Sequence, residues 1–242
     1  MPSVNVPGAA SAPELKAHLA VPPVGDGPWP GVVVLHENFG LNDDVREHAE
    51  RLAAAGYLAL APDLFTAGRF RCIQAGIRAV IKGEGEAFED IEAARRFLAR
   101  RPECSDRVGV IGFCIGGGFA LLVASRGFDA AAANYGPVYG DLDERLRGAC
   151  PVIASYGAKD RLIPGHGGKL ERALERSAVI HDFEQYPDAG HSFLNRPAVG
   201  PLGPVMRVTA GVGFHGPSAE HAWTRILRFF DEHLREAAEP IR

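Results

Sequence analysis

A pattern typical of a strand runs directly into one typical of a helix in the stretch Val108-Gly-Val-Ile-Gly-Phe-Cys-Ile-Gly-Gly-Gly118. Its first half is apolar and β-branched, which predicts a strand buried on both faces, and its second half opens a small-residue helix predicted over residues 115–125. Gly112 and Gly116 each stand two positions from Cys114, where a β-carbon on a sharp turn would clash with neighbouring backbone. The stretch therefore predicts a nucleophile elbow, with Cys114 at the turn where Ser is the usual residue.

Apolar runs that predict strands alternate with patterns that predict helices on both sides of this elbow. Residues 31–35 form a β-branched core run, and Asn42 predicts the N-cap of a helix that stops at Gly56. The order predicts an α/β fold with right-handed βαβ crossovers and one doubly wound, mainly parallel sheet with helices on both faces. Further strands are predicted at residues 15–21, 57–61, 108–113, 130–135, 152–156 and 179–186, and further helices around 88–98, at 170–176 and from an N-cap at Ser218 to Leu234.

The size and composition of the chain indicate a globular protein. Its 242 residues predict a single domain over residues 1–242, and 46% hydrophobic with 23% charged residues excludes disordered and coiled-coil proteins. A formal net charge of -4 predicts no nucleic-acid or membrane partner. We expect a soluble, cytoplasmic protein, because no export signal or spanning segment is apparent. The four cysteines form no C-x-x-C pair and predict neither a disulfide framework nor a zinc site.

Two residues downstream complete a catalytic order that begins with Cys114. Asp160 follows the predicted strand at 152–156 and His191 follows the one at 179–186, which gives the order nucleophile, acid, histidine. The carboxyl ends of parallel strands meet at one edge of an open α/β sheet, where ligands bind. Each residue alone fits an ordinary role, as a buried cysteine, a turn aspartate or a surface histidine. Their joint placement predicts a Cys-His-Asp triad.

Other motifs suggest different chemistry but lack the context it needs. Residues 211–216 fit the dinucleotide-binding pattern G-x-G-x-x-G, but no predicted strand leads into them. His36 and Glu37 begin the zinc-protease pattern H-E-x-x-H, but Gly40 stands in place of the second histidine. We therefore expect no metal site. The glycine- and proline-rich residues 195–217 beside His191 are a candidate lid.

One further pattern consists of short strings spread along the chain. They are His36-Glu-Asn-Phe-Gly40, Ala61-Pro-Asp-Leu-Phe65, Gly112-Phe-Cys-Ile-Gly-Gly117, the turn at Asp160, and Gly190-His-Ser-Phe193. Together they resemble the dienelactone hydrolase family, whose members are also called carboxymethylenebutenolidases, and the resemblance covers nearly the whole chain. It implies a single α/β-hydrolase domain without a separate cap, and hydrolysis of a lactone or small ester without metal or organic cofactor.

The resemblance also implies roles for individual residues. It makes Cys114 the nucleophile, His191 the base that activates it, and Asp160 the group that orients His191. Glu37 matches a glutamate that contacts the resting cysteine and helps to form the thiolate when substrate binds. The oxyanion donors implied by the resemblance are the backbone N–H groups of Ile115 and Asn38.

Substrate recognition departs from the family pattern. Relatives that act on the chlorocatechol-pathway lactone bind its carboxylate with one arginine after the catalytic histidine and another after the P-D-L-[YF] string. Here Asn195 stands four positions after His191, with Arg196 next to it. The candidate substrate-binding residues are Tyr135, Phe39, Arg196, Arg69 and Arg71, with Arg78 as a further unranked arginine.

These observations predict an enzyme whose partner is a small-molecule ester or lactone, acting as a monomer or homodimer. Two alternatives stay open at this point. The chain is a general carboxylesterase or thioesterase of the same family, or it is a non-catalytic relative that keeps the fold to bind a ligand. The joint presence of Glu37, Cys114, Asp160 and His191 argues against the non-catalytic alternative, since a binding module has no need of that set.

Overall fold

The computed structural model describes residues 3–196 and 209–235, and all its named strands form one eight-stranded sheet. The strand order is β1-β2-β4-β3-β5-β6-β7-β8, in which β3 to β8 are parallel, while β2 runs antiparallel to both β1 and β4. The predicted fold class, an α/β fold with a mainly parallel sheet, is confirmed. The strands are β1 Ser3–Pro7, β2 Glu14–Ala20, β3 Trp29–Leu35, β4 Leu58–Pro62, β5 Cys104–Phe113, β6 Ala130–Asn134, β7 Val152–Gly157 and β8 His181–Tyr186.

Helices cover both faces of the sheet because the buried strands present apolar side chains alternately to either side. In β3, Val33 and Leu35 pack into one apolar cluster with α2, α3, α4 and α6, whereas Val32 and Val34 pack into the other with α1 and α7. None of the helices in the described ranges has the length and apolar character needed to cross a bilayer. The helices are α1 Asp43–Ala54, α2 Arg69–Lys82, α3 Glu86–Ala99, α4 Ile115–Val123, α5 Leu142–Arg145, α6 His166–Arg176 and α7 Gly216–Leu234.

The first helix begins and ends as the sequence predicts. The Asn42 side chain accepts a hydrogen bond from the Val45 amide at 3.1 Å, which satisfies one of the free N–H groups of the first turn of α1. Asp43 and Asp44 in that turn oppose the positive end of the helix dipole. Gly56 has a φ of +87°, the left-handed conformation that suits the residue after a helix. Helix α1 follows the turn at Glu37 and so lies beside the candidate site.

The last helix begins earlier than predicted. The N-cap prediction at Ser218 is wrong, because α7 starts at Gly216 with His215 in the N-cap position. Pro217 lies in the first turn, where its fixed φ and missing N–H are well tolerated. The Ser218 hydroxyl, instead of capping the helix, lies 2.8 Å from His215 Nδ1.

Three elements were not predicted from the sequence. The edge strand β1 and the 14-residue helix α2 lack the signals used above, and α5 is a single turn of 4 residues. Gly68 precedes α2 and gives it no side-chain cap, and the outward face of α2 carries an apolar residue, Phe70, that is 85% exposed. Without a capping side chain, the start of α2 carries none of the local signal that marks α1.

Candidate active site

Four strands deliver the predicted catalytic residues to one edge of the sheet. Glu37 follows β3, Cys114 follows β5, Asp160 follows β7 and His191 follows β8, each within a few residues of the carboxyl end of its strand. Since these strands are parallel, all four residues lie at the same edge, where open α/β sheets bind ligands.

Cys114 occupies a strained turn between β5 and α4. Its φ of 53° and ψ of -121° lie in a region that side-chain-bearing residues seldom adopt. A β-carbon on Gly112 would lie 1.9 Å from the Gly116 carbonyl oxygen, and one on Gly116 would lie 2.4 Å from the Leu35 carbonyl oxygen. Both glycines are therefore required by backbone contact, as the sequence predicts. The turn leaves the Cys114 side chain half-buried at the start of α4.

Asp160 and His191 form a buried hydrogen-bonded pair, which is an ion pair when His191 is protonated. His191 Nδ1 lies 2.7 Å from Asp160 Oδ2, and both side chains are 4% exposed. The other carboxylate oxygen, Oδ1, accepts hydrogen bonds from the backbone amides of Leu162 at 2.9 Å and Ile163 at 3.2 Å. With the carboxylate fixed on both sides, Asp160 holds the imidazole in one orientation and Nδ1 carries the ring proton.

The opposite ring nitrogen of His191 faces the cysteine. Burial alone would lower the pKa of His191, but its interactions with Asp160 and then Cys114 raise it above the usual imidazole range. Nε2 is buried and makes no hydrogen bond of full geometry within the described residues. The contact with the Cys114 sulfur is therefore longer or more bent than an ordinary hydrogen bond, as catalytic pairs often are without substrate.

Glu37 is a buried acid beside this pair. It is 3% exposed, and the Ser192 hydroxyl donates a hydrogen bond of 2.7 Å to its Oε1. Burial raises the pKa of Glu37 to about 7, while the Ser192 hydrogen bond and the nearby His191 oppose the rise. Within the described residues its hydrogen-bond partner is thus Ser192, not the Cys114 sulfur that the family resemblance implies. Sequence reasoning missed Ser192, although it directly follows His191.

Tyr135 lies inside the site wall. It is fully buried with a φ of 38°, and its ring centroid is 5.2 Å from that of His191. Burial raises the pKa of Tyr135, and the nearby Glu37 and Cys114 add to this effect. The Tyr135 hydroxyl donates a short hydrogen bond to Asn195 Oδ1. Asn195, the residue that departs from the family pattern, therefore serves as the buried partner of Tyr135.

Within the described residues, none of the predicted arginines forms a hydrogen bond or ion pair with Cys114, Asp160 or His191. The Arg196 amide donates to Asp44 Oδ2 at 2.7 Å, and its guanidinium stacks on Phe214 at 4.6 Å. Its side chain lines a separate cleft between α1 and α7. Arg69 and Arg71 are exposed in the first turn of α2. No Lys or Arg is among the charges that shift the pKa of Glu37, Tyr135 or His191 within the described structure.

The two predicted oxyanion donors are the backbone N–H groups of Ile115 and Asn38. Ile115 is the first residue of α4, where a helix leaves its amides without internal partners, and Asn38 follows Glu37. Neither amide donates a hydrogen bond to another described residue. Phe39 is half-buried in the same turn as Asn38. Both N–H groups are thus available to a ligand.

Other features predicted near the site can be located only in part. Residues 209–217 of the candidate lid are described, and the Gly213 amide donates to the His191 carbonyl at 2.9 Å. Residues 197–208 lie outside the described residues, so the lid stays a prediction.

Within the described ranges, no three His, Cys, Asp or Glu side chains are arranged to hold a metal ion, and all four cysteines are free thiols.

Comparison with known proteins identifies the family of this chain. The model of the dienelactone hydrolase family matches residues 15–234. A Yersinia pestis protein provisionally named carboxymethylenebutenolidase is 29% identical over 238 residues, 91% of this chain and 84% of the relative. A Pseudomonas putida carboxymethylenebutenolidase is 29% identical over 187 residues, 69% of this chain and 75% of the relative. The solved dienelactone hydrolase-like promiscuous phosphotriesterase P91, from metagenomic libraries, matches with a TM-score of 0.80 and 26% identity over 97% of this chain and 99% of that one. The chain is thus a hydrolase that belongs to the dienelactone hydrolase family.

Proposed function

We propose that this protein hydrolyses a small lactone or carboxylic ester with Cys114 as nucleophile and a thioester as intermediate. The observation that supports this most is the arrangement around His191, whose Nδ1 is 2.7 Å from Asp160 while the Cys114 sulfur interacts with the same ring. A cysteine on a strained turn, next to an oriented imidazole, is the constellation that nucleophilic acyl transfer requires.

The reaction proceeds in two halves. His191 takes the proton of the Cys114 thiol, and the thiolate attacks the substrate carbonyl carbon. The carbonyl oxygen becomes an oxyanion, which the N–H groups of Ile115 and Asn38 stabilise. The intermediate collapses to a thioester as the alkoxide leaves with the proton from His191. Water then gives a proton to His191, attacks the thioester, and releases the acid as the proton returns to the sulfur.

Glu37 supplies a second ionisable group in the proposed mechanism. A carboxyl group with a pKa of about 7 holds or releases a proton close to neutral pH. Its proposed role is to help form the thiolate when substrate occupies the site. A sulfur that stays protonated at rest is less open to oxidation, because thiolates oxidise more readily than thiols.

The names of the two relatives support a lactone or small ester as the substrate class. Carboxylesterase and thioesterase activities use the same steps and remain the alternatives. A panel of lactones, aryl esters and thioesters, assayed on wild type and Cys114→Ser, ranks these classes. The panel separates the substrates by kcat/KM, because the nucleophile and base are common to all of them.

The test of the nucleophile compares Cys114→Ala with Cys72→Ala, a half-buried cysteine on α2 outside the site. Cys114→Ala is expected to lower kcat/KM for 4-nitrophenyl acetate roughly a thousand-fold or more. Cys72→Ala is expected to behave as wild type. Iodoacetamide is expected to inactivate both the wild-type protein and Cys72→Ala. Full turnover by Cys114→Ala would overturn the nucleophile assignment.

A further inference from the structure

His36 is a buried residue at the carboxyl end of β3 that the mechanism above does not use. It is 1% exposed and lies directly before Glu37. Its Nδ1 lies 2.7 Å from the Glu37 carbonyl oxygen, and its Nε2 lies 3.0 Å from the Leu64 amide nitrogen. The imidazole therefore bridges the turn after β3 and the loop after β4.

The two partners of His36 decide where its proton lies. The Leu64 amide can only donate, so Nε2 accepts, and the Glu37 carbonyl can only accept, so Nδ1 carries the proton and donates it. Burial lowers the pKa of His36, which keeps the ring neutral and preserves this tautomer. Asp63 Oδ1, at 3.8 Å from Nε2, and the Phe65 ring, with its centroid 4.5 Å away, complete its surroundings.

The carbonyl that His36 holds belongs to the same peptide unit as the Asn38 amide. A trans peptide is planar, so its C=O and N–H point in opposite directions. The Glu37 carbonyl also accepts the Gly40 amide at 3.1 Å, and two donors on one oxygen fix the plane of the unit. The Asn38 N–H is thereby fixed on the opposite side, away from both donors.

The preceding peptide unit, between His36 and Glu37, lies against the nucleophile elbow. A β-carbon on Gly116 would lie 2.7 Å from the His36 carbonyl oxygen, so the end of β3 and the start of α4 are in backbone contact. The preorganisation of oxyanion donors matters because a donor that must rotate during the reaction gives up part of its stabilisation.

We propose that His36 is a positioning residue for the oxyanion hole, which fixes the Asn38 N–H by holding the Glu37 carbonyl from the loop after β4. The inference rests on the proposed function, since it takes Cys114 as the nucleophile and Asn38 as an oxyanion donor. It predicts that His36 affects only those reactions of Cys114 in which a carbonyl oxygen gains negative charge.

Two reactions of the same sulfur separate this role from general support of the site. Acylation by 4-nitrophenyl acetate builds an oxyanion on the ester carbonyl. In alkylation by iodoacetamide the thiolate attacks the methylene carbon and iodide leaves with the bonding electrons, so no oxyanion forms. The same Cys114 and His191 serve both reactions.

The test uses two amide substitutions that each keep one of the two hydrogen bonds. His36→Asn places an amide donor near the Nδ1 position and can still bond the Glu37 carbonyl, whereas His36→Gln can reach the Leu64 amide but not that carbonyl. We expect His36→Gln to lower kcat/KM for the ester by about 10- to 100-fold, below the full cost of a lost donor. Its alkylation rate is expected to stay within about two-fold of wild type, since no donor serves that step. His36→Asn is expected to recover most of the ester activity.

His18→Gln is the matched control. His18 is also 1% exposed in the sheet, but its Nε2 bonds Glu50 at 2.8 Å, on the side of α1. We expect His18→Gln to show wild-type rates of ester turnover and of alkylation. Thermal melting of each variant reports any general loss of stability.

Either of two results would overturn the inference. One is a parallel loss of acylation and alkylation in His36→Gln, which indicates general support of the site. The other is an unchanged ester rate in the folded His36→Gln protein. Failure of the proposed function gives a different result, because ester turnover would then persist in Cys114→Ala whatever residue occupies position 36.

Discussion

At the scale of single residues, Ser192 opposes the effect of burial on the pKa of Glu37. Ser192 directly follows His191, and its φ of 57° turns it into the left-handed region. There its hydroxyl donates to Glu37 Oε1 at 2.7 Å, and this hydrogen bond lowers the pKa that burial raises. The Ser192 side chain thereby joins the loop that carries His191 to Glu37 after β3.

Ser192→Ala is expected to move the acidic limb of the pH–rate profile to higher pH. Without the donor, burial raises the pKa of Glu37 further above about 7, and the carboxylate is the form that the proposed mechanism uses. A hydrogen bond to a charged group is worth about 1.5–3 kcal/mol, which corresponds to a shift of about one pH unit or more.

The measurement is kcat/KM against pH, with Ser177→Ala as control. Ser177 follows α6, and its hydroxyl bonds the Leu174 carbonyl far along the chain from Glu37. An acidic limb at the same pH in Ser192→Ala and wild type would show that Glu37 does not set it.

The proposed catalytic residues and the residues that contact them differ in how far they could be predicted. Cys114 and Asp160 follow apolar strands and His191 follows the more polar edge strand β8, so their common edge follows from the parallel order. The contacts of Ser192 with Glu37 and of His36 with Leu64 join separate loops, and no local pattern encodes them. Loops meet where tertiary packing brings them, so such partners need the folded structure.

At the scale of elements, the elbow depends on how closely α4 approaches β3. Gly116 in α4 contacts the Leu35 and His36 carbonyl oxygens, so the helix start and the strand end pack backbone to backbone. Gly168, in the first turn of α6, meets only the flexible Arg172 side chain at 3.3 Å from an added β-carbon. The two glycines thus have similar places in a helix and different neighbours.

The same substitution at these glycines is expected to change stability in opposite directions. Gly116→Ala forces α4 away from β3 and should destabilise the protein by about 2 kcal/mol or more, with loss of ester turnover. Gly168→Ala should stabilise it by up to about 1 kcal/mol through helix propensity. Urea unfolding of both variants measures the free energies. A stable Gly116→Ala with full activity would mean that the backbone contact is dispensable.

The prediction of elements succeeded where local signals agree with tertiary structure. The core strands were found because they are short apolar runs buried on both faces, and α1 because Asn42 caps it. At α7, the capping preference of Ser218 gives way to an earlier start at Gly216 with Pro217 in the first turn. At α2, Gly68 provides no capping side chain, so no local signal marks the start of the helix.

At the scale of the whole molecule, the site lowers the stability of the fold near neutral pH. Glu37 is 3% exposed, and burial raises its pKa to about 7. In the unfolded chain a glutamate titrates near pH 4.3. Between these two values the folded protein holds a proton that the unfolded chain has lost, so stability falls as the pH rises.

Glu37→Gln is expected to remove this dependence, because glutamine does not titrate and its amide can still accept the Ser192 hydroxyl. From pH 4 to pH 8, wild type should lose about 3 kcal/mol of unfolding free energy relative to Glu37→Gln. Urea unfolding across this range measures it, and Glu175→Gln on the exposed surface of α6 controls for the change in net charge. A constant difference between wild type and Glu37→Gln would mean that Glu37 keeps an ordinary pKa in the fold, and that its carboxyl is charged at rest.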